Sequence, residues 1–313
     1  MGPLARTLLS AALCWSAAQS QAQTTSAVHV DRATLLDVAV AGEALVAVGE
    51  RGLVMRSTDQ GRSWSGTLTP TTRALTAVVF LDARTGVAVG HGGTVLRTGD
   101  GGASWVAVPV EPVAGHDAIL GVTRVDADRL VATGAFGMFL ESSDRGATWV
   151  RRPVIEPGFD RHLSKLVVWG DKWLLVGESG LLALSGDQGA SWKKLASPYV
   201  GSYFGALVLG NGEVLVYGMR GNAFRSGDGG ASWQPVALDT KSSLNGGAVA
   251  ADGRIALVGN NGLIATSSDH GRSFALTRTA QATPVAQAAF TTDGALVHVG
   301  LLSTGRIARG SLP

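Results

Sequence analysis

One eight-residue pattern recurs six times along the chain, and its aspartates are spaced 41, 44, 43, 41 and 41 residues apart. Each copy reads Ser/Thr-x-Asp-x-Gly-x-Ser/Thr-Trp/Phe. A repeat of about 40–45 residues is the length of one four-stranded blade of a β-propeller. The repeat therefore constrains the fold strongly and the function much less. The aspartate and aromatic positions are Asp59 and Trp64, Asp100 and Trp105, Asp144 and Trp149, Asp187 and Trp192, Asp228 and Trp233, and Asp269 and Phe274.

The second copy shows how one repeat divides into strands. Leu75 to Phe80 is rich in β-branched residues, and Val87 to Gly90, Thr94 to Thr98 and Trp105 to Val110 follow it, separated by glycine-containing turns. Short runs of this kind, alternating with glycine turns, are typical of antiparallel hairpins. We predict four strands per repeat and no helix longer than one turn.

Seven copies of the strand pattern can be counted, although the last lacks the Asp turn and a fourth strand. Its strands are predicted at Ala286 to Phe290, Ala295 to Gly300 and Arg306 to Gly310. Ser26 to Val30, which precedes the first copy, has the right place in the repeat to supply the missing strand. We predict an all-β, seven-bladed propeller closed by this N-terminal strand, since closure removes exposed sheet edges. Six blades followed by a tail is the alternative.

Residues 1–22 have the features of a signal peptide. Arg6 is followed by an apolar run, Thr7 to Ala18, which is too short to span a membrane. We predict cleavage after Ala22, with Ala18 as the alternative site, and a propeller domain over residues 23–313. The protein is then expected in the periplasm or outside the cell; a frayed N-terminal helix is the competing interpretation.

Composition excludes several classes of function. The only cysteine, Cys14, lies in the apolar run after Leu13, which argues against a lipid anchor and leaves the cleaved chain without disulfides. The formal net charge of +2 argues against a general nucleic-acid or anionic-membrane binder. No later apolar run reaches the ~20 residues of a membrane span, so we expect no direct membrane insertion. We also expect a monomer.

The repeated Asp turn has chemistry that suits a structural role. An aspartate accepts hydrogen bonds from backbone N–H groups a few residues on, and the aromatic residue that follows can pack between neighbouring sheets. Each turn carries one carboxylate, whereas calcium needs about six to eight oxygens. Catalysis needs one unlike site rather than six similar ones. We therefore predict structural turns and neither a metal ion nor a cofactor.

The repeated pattern is similar to the Asp box of bacterial neuraminidase-type (BNR) repeats, which occur in sialidases, sortilin-like receptors and several glycoside hydrolases. A fuller pattern, V-x-V-G-x-x-G-x-x-x-x-S/T-x-D-G-G-x-S-W, runs from Val87 to Trp105, with looser copies at Val216 to Trp233 and Val46 to Trp64. The chain resembles the photosystem II stability/assembly factor family in three respects: this pattern, the signal peptide and the length. The resemblance implies an exported, non-enzymatic propeller that assists assembly of a membrane complex by binding a protein partner.

A carbohydrate-binding or glycoside-hydrolysing, sialidase-like propeller is the alternative function. Sialidases resemble one another in an Arg-Ile-Pro segment, three arginines that hold a carboxylate, and a Tyr–Glu pair. Arg-Ile-Pro is absent here, and Arg152-Pro153 lies far along the chain without the isoleucine. The three tyrosines, Tyr199, Tyr203 and Tyr217, form no recognisable motif with an acid. The residues favour the non-enzymatic function.

A partner-binding surface can be placed by subtracting the repeated residues. The Asp turns join third to fourth strands, so they share a face with the first-to-second turns. The opposite face collects the second-to-third turns and the crossings between blades, where residues differ from copy to copy. Loops on a rigid scaffold commonly carry recognition, and Arg, Tyr and Phe commonly anchor interfaces. The predicted partner-binding residues are Arg51, His91, His116, Asp117, Phe159, Asp160, Arg161, His162, Tyr203, Arg220 and Asn260.

Two pairs in this set, His116 with Asp117 and Asp160 with His162, combine metal-ligating residue types. Their spacing matches no metal-ligand signature, and a local Asp–His hydrogen bond is the expected arrangement. We therefore predict no metal ion at either pair.

Overall fold

A computed structural model describes residues 33–110 and 117–312 of the chain, and within them seven antiparallel sheets form. Six of these sheets have four strands and the last has three. The first strands of neighbouring blades contact one another all the way round, including those of the first and seventh blades. The predicted all-β, seven-bladed propeller is confirmed, and the alternative of six blades and a tail is wrong.

The strands of each blade follow one another in space in the order in which they occur along the chain. The first three are four to seven residues long, and the fourth has only two residues in blades 2 to 5. The strands are β1 (Leu35–Ala41), β2 (Ala44–Gly49), β3 (Leu53–Ser57) and β4 (Ser65–Leu68) in blade 1; β5 (Leu75–Phe80), β6 (Gly86–Gly90), β7 (Val95–Thr98) and β8 (Val106–Ala107) in blade 2; β9 (Ile119–Arg124), β10 (Leu130–Gly134), β11 (Phe139–Ser142) and β12 (Val150–Arg151) in blade 3; β13 (Leu163–Trp169), β14 (Lys172–Gly177), β15 (Leu182–Ser185) and β16 (Lys193–Lys194) in blade 4; β17 (Tyr203–Val208), β18 (Val214–Gly218), β19 (Ala223–Ser226) and β20 (Gln234–Pro235) in blade 5; β21 (Leu244–Val249), β22 (Ile255–Gly259), β23 (Leu263–Ser267) and β24 (Ala275–Arg278) in blade 6; and β25 (Val285–Phe290), β26 (Leu296–Gly300) and β27 (Ser303–Ile307) in blade 7.

The predicted boundaries hold best for the inner strands. Leu75–Phe80 is reproduced as predicted, whereas the fourth strand of blade 2 shortens from Trp105–Val110 to Val106–Ala107, because only these two residues pair with β7. The last strand begins three residues before its predicted start at Arg306, because Leu301 and Leu302 alone make the turn and Gly300 pairs with Ser303. The predicted closing strand at residues 26–30 lies outside the described residues.

The core consists of layers between blades rather than a single centre. Every residue of β2, β6, β18 and β22 is buried, because both faces of each sheet are covered by its neighbours. Each of the seven hydrophobic clusters joins two adjacent blades. The cluster of Leu35, Met55, Val297 and Val299 joins blade 1 to blade 7 and so closes the ring.

The Asp turns form the hydrogen bonds that their sequence predicts. In blade 4 the Asp187 carboxylate accepts bonds from the Ser185 hydroxyl (2.8 Å), the Ser191 backbone N–H (2.8 Å) and the Ser191 hydroxyl (2.5 Å). The Ser185 hydroxyl in turn accepts the Gly189 N–H at 2.8 Å. The same four bonds recur around Asp59, Asp100, Asp144, Asp228 and Asp269.

The aromatic residue that ends each Asp turn packs against the preceding blade. Trp105 is 4% exposed, donates its indole N–H to the Gly102 carbonyl at 3.2 Å, and meets the Phe80 ring edge-on at 6.3 Å. All six aromatic residues join the cluster between their own blade and the one before it, four of them half-buried. One sequence pattern thus ties a hairpin together and also seals an interface between blades.

We expect the Asp turns to make the stability of the fold depend on pH. Hydrogen bonds from the Ser232 hydroxyl and N–H and from the Ser226 hydroxyl lower the pKa of Asp228 to about 2. Because this folded-state pKa lies below the ordinary value, the ionised carboxylate stabilises the fold fully above about pH 4, and this contribution is lost as the pH falls through about 2. We expect Asp228→Asn to be less stable than wild type at neutral pH, and to lose less on acidification, when unfolding temperatures are measured from about pH 5 to pH 2.

The matched control for this measurement is Asp239→Asn. Asp239 is exposed and accepts no hydrogen bond within the described residues. This variant should follow the acid profile of wild type. Parallel profiles for Asp228→Asn and wild type would show that the turn carboxylate does not contribute as described.

Replacing the buried indole of an Asp turn should open a cavity between two blades. We expect Trp105→Ala to lower the free energy of unfolding by roughly 3–5 kcal/mol. Phe136→Ala, at a side chain 56% exposed, should change it by less than ~0.5 kcal/mol. Urea unfolding of both variants tests the contrast, and equal losses would contradict the described packing.

Candidate functional site

The two faces of the disc are distinguished by which loops contact each other. On one face the Asp turn of blade 1 meets a first-to-second turn, where the Gln60 amide donates to the Glu43 carbonyl at 2.8 Å. On the other face the second-to-third turns meet the crossings between blades, as where the Gly93 N–H donates to the Asp117 carbonyl at 3.0 Å. We call these the Asp-turn face and the crossing face. The predicted division of loops between them agrees with these contacts.

The second-to-third turns present one residue per blade at the same left-handed backbone position. Six of these residues are not glycine, with φ between 51° and 58°, and their side chains are exposed. Four of the Asp turns also have a left-handed residue other than glycine after the aspartate, so this geometry belongs to the hairpins of both faces. The crossing-face positions are Arg51, Gly92, Phe136, Ser179, Arg220, Asn261 and Leu302.

Most arginines on the Asp-turn face are engaged by carboxylates of that face. Arg145 contacts Asp82 and lies 3.3 Å from Asp128, and Arg129 pairs with Asp126 at 2.5 Å. Asp293 binds two further arginines, and Asp252 binds another two. The positive charge of these turns is therefore largely neutralised by neighbouring carboxylates. The pKa of Asp82 lies below its ordinary value, mainly because the backbone N–H groups of Thr85 and Arg84 donate to its carboxylate.

Arginines on the crossing face have no such partners. The Arg51, Arg161 and Arg220 side chains are exposed and form no hydrogen bond or ion pair within residues 33–110 and 117–312. Glu50 and Asp160 are adjacent in sequence to two of them but do not pair with them. These guanidinium groups thus remain available to another molecule.

His91 and Asn260 lie on the same face but differ in availability. His91 is exposed at the start of the blade 2 turn, where its backbone N–H binds the Ala74 carbonyl at 3.0 Å. Asn260 is half-buried, and its side-chain oxygen accepts a bond from the Asn245 amide at 3.0 Å. Asn260 therefore connects neighbouring strands, while His91 is free to meet a ligand.

The predicted segment from Phe159 to His162 is only partly available. His162 binds Glu178 rather than Asp160: its ring Nδ1 lies 3.0 Å from the Glu178 carboxylate, to which its backbone N–H also donates at 3.0 Å. The expected local Asp–His hydrogen bond is therefore wrong, because the acid comes from the facing second-to-third turn. Phe159 is half-buried below the Lys194 ammonium, 5.8 Å from its ring centre, whereas Asp160 and Arg161 are exposed.

Tyr203 does not belong to the exposed surface, which corrects its predicted role. It is 0% exposed, and its hydroxyl lies 3.0 Å from the Ser197 hydroxyl. Burial raises the pKa of Tyr203 to about 12. The physical reason is register: Tyr203 begins an inner strand at the position that Leu75 and Leu163 occupy in other blades, and all three are buried.

His116 lies outside the described residues, and Asp117 is half-buried in the crossing that meets Gly93. Among the residues described, no cluster of three or more His, Cys, Asp or Glu could hold a metal ion. No helix in this part of the chain is long and apolar enough to cross a bilayer.

Several exposed apolar residues of the crossing face are absent from the predicted partner-binding set. Phe136 is 56% exposed at a turn tip, with its ring centre 5.2 Å from that of His162. Val200, in the crossing from blade 4 to blade 5, is 90% exposed, and Leu301 and Leu302 are exposed in the last turn. The available signal was an apolar residue in a turn where neighbouring copies are polar.

Comparisons with known proteins agree with the fold and the motifs. Residues 112–258, just under half of the chain, match the family model described as "Photosynthesis system II assembly factor YCF48". No curated protein matches the sequence. The structure is similar to that of "YCF48 bound to D1 peptide", with a TM-score of 0.71 and 16% identity over 88% of this chain and 92% of that chain.

Two further solved structures show how far the fold extends. YCF48 from Cyanidioschyzon merolae matches with a TM-score of 0.70 and 13% identity over 90% of this chain and 97% of that chain. Virginiamycin B lyase from Staphylococcus aureus matches with a TM-score of 0.76 and 8% identity over 88% and 94%. At these identities the likeness shows the fold alone, and the fold includes an enzyme. Residues 112–258 thus match the YCF48 assembly-factor family model, and the seven-bladed β-propeller as a whole is a distant structural match to YCF48.

Proposed function

We propose that this protein binds a polypeptide segment of a membrane-associated partner on its crossing face, and thereby assists the assembly or stability of a membrane complex. The observation that carries the proposal is the contrast between the two faces. Arg51, Arg161 and Arg220 have no side-chain partner within the described residues, whereas most arginines of the Asp-turn face are held by carboxylates. Unpaired arginines are available to bind carboxylates or carbonyl oxygens of another chain.

Exposed apolar side chains beside these arginines complete the chemistry of a protein interface. Phe136, Val200 and Leu302 have more than half of their surface exposed on this face. Interfaces commonly combine a few arginine and aromatic anchors with surrounding apolar contacts. A polypeptide with both acidic and apolar residues fits this surface better than a purely charged ligand does.

The turns of the crossing face are short and internally bonded, so little order has to be gained on binding. The Gly137 N–H donates to the Arg161 carbonyl at 2.9 Å, and the Thr279 N–H donates to the Gly262 carbonyl at 2.9 Å. Such bonds fix the turns to the crossings. A preorganised surface loses less conformational entropy when a partner binds.

The comparisons support the kind of partner. A YCF48 structure holds a D1 peptide, and the family resemblance makes a partner polypeptide the natural ligand here as well. We propose a location outside the cytoplasm, in the periplasm or secreted, on the basis of the signal-peptide features of residues 1–22. The protein is proposed to act as a monomer without a cofactor and without catalysing a reaction; turnover of aryl glycosides would contradict this.

Site-specific photocrosslinking from both faces of one blade tests the proposal. Ser179 and Gln188 both belong to blade 4, have left-handed backbone and are exposed, but they lie on opposite faces. With a photoreactive phenylalanine analogue at each position in the full chain, we expect membrane fractions to give an adduct with one defined protein from position 179 only. Equal adducts from both positions, or none from position 179, would overturn the assignment of the face.

Arg220→Ala should weaken this adduct without affecting the fold. Arg220 is exposed and its side chain has no partner within the described residues; alanine keeps the Cβ atom, so the left-handed backbone at φ 58° is strained equally in both proteins. We expect a change of less than ~0.5 kcal/mol in the free energy of unfolding. Lys193→Ala, on the exposed outer strand of blade 4, is the matched control that should leave the adduct unchanged. A large loss of stability in Arg220→Ala would show that this arginine has a structural role.

A further inference from the structure

The inner strands of the seven blades share one irregularity beside the central channel. In each of them the pairing with the second strand skips one residue, for example between Leu35 and Asp37 in β1 and between Leu163 and Lys165 in β13. The residue after the skip therefore occupies an equivalent position in every blade. These seven positions form a ring around the channel.

Three positions of this ring carry polar side chains, and the other four carry only alanine or glycine. Asp37, Lys165 and Gln287 are the polar members, and all three line a cavity of about 590 Å³ in the channel. The remaining positions are Ala77, Gly121, Gly205 and Gly246. If these equivalent positions served packing alone, we would expect similar side chains at all seven. The mixture of polar side chains with glycine and alanine therefore indicates another role.

Two of the glycines make room for polar groups. A Cβ atom on Gly246 would lie 2.6 Å from the side-chain oxygen of Gln287. A Cβ atom on Gly205 would lie 2.4 Å from the hydroxyl oxygen of Tyr217, which reaches the channel from the second strand of blade 5. The Gln287 and Tyr217 side chains thus extend over glycines.

Lys165 and Asp37 face the channel without forming an ion pair. Asp37 accepts hydrogen bonds from the backbone N–H groups of Val38 (2.9 Å) and Val78 (2.8 Å), and from the Gln287 side chain. The Lys165 ammonium has no hydrogen bond or ion pair within the described residues, and only a longer-range attraction to Asp37. The acceptor is therefore nearly saturated, whereas the cationic donor is free.

Tyr217 supplies a second free donor. Its side chain is 4% exposed, yet its hydroxyl has no hydrogen-bond partner among the residues described. Buried tyrosine hydroxyls usually find a partner. Burial raises the pKa of the Tyr217 hydroxyl, so that it remains protonated and able to donate.

We propose that the channel binds a small monocarboxylate with an apolar body, whose carboxylate accepts hydrogen bonds from Lys165 and Tyr217. About half of the lining surface is apolar, and valine is the commonest apolar residue in it. The cavity volume lies within the usual range of about 300–1,000 Å³ for small-molecule sites. A multiply charged anion fits less well, because Lys165 is the one cationic side chain of the described lining without a partner; Arg124 already bonds the Asp126 and Leu81 carbonyls.

Titration of the purified full chain with benzoate and butyrate, followed by calorimetry and ligand-observed NMR, tests the proposal. We expect saturable binding of one molecule per chain, and no binding of inorganic phosphate. Lys165→Met should weaken binding at least tenfold, since it removes the charged donor. Tyr217→Phe keeps the buried ring and should weaken binding at least threefold. Lys193→Met, an exposed lysine on β16, is the matched control and should bind as wild type does.

Two outcomes would overturn the proposal. If neither carboxylate binds wild type, the channel is a water-filled passage only. If both bind with equal affinity to wild type and Lys165→Met, with the fold of each verified by circular dichroism, they bind elsewhere. This site uses none of the crossing-face residues, so its test and the crosslinking test of partner binding can fail independently.

Discussion

The packing of each sheet against its two neighbours is the interaction on which the rest of the molecule depends. A single blade has two apolar faces and cannot bury either of them alone. Burial is completed only when the seventh blade meets the first, through Leu35 and Met55 on one side and Val297 and Val299 on the other. The closed ring then fixes the turns of both faces, so that local sequence changes in a turn leave the scaffold intact.

The same packing separates structure from recognition. On the Asp-turn face, most carboxylates are occupied by turn hydrogen bonds or by arginines, as Asp187 and Asp293 show. On the crossing face, the turns are held mainly by backbone bonds, and side chains such as Arg51 and Arg220 are left unused. Because the stabilising side-chain contacts lie mainly on the Asp-turn face, side chains of the crossing face are free to change with the partner.

Sequence reasoning was most accurate where the repeat itself carries the information. Blade number, the roles of Asp187 and Trp105, and the division of the faces all follow from comparing one copy with the next. Tyr203 could have been placed correctly in the same way, since it is aligned with the buried Leu75 and Leu163. The pairing of His162 with Glu178, and the ring that brings Lys165 near Asp37, depend on how distant segments meet after closure. No local pattern encodes these contacts.

Within the described residues, blade 7 has no Asp-turn aromatic residue to pack against blade 6. We call the interface between blades 6 and 7 the seam of the ring. Among the described residues, the cluster between blades 6 and 7 has six buried members, fewer than any other cluster, and a cavity of about 380 Å³ lies between β24 and β27 nearby. In repeat architectures the interfaces between units set where cooperativity breaks. Local opening of the disc is therefore expected to begin at this seam, with the fastest amide exchange among the buried strands in blade 7. The blade in which the Asp-turn pattern ends is thus also the blade that we expect to open first.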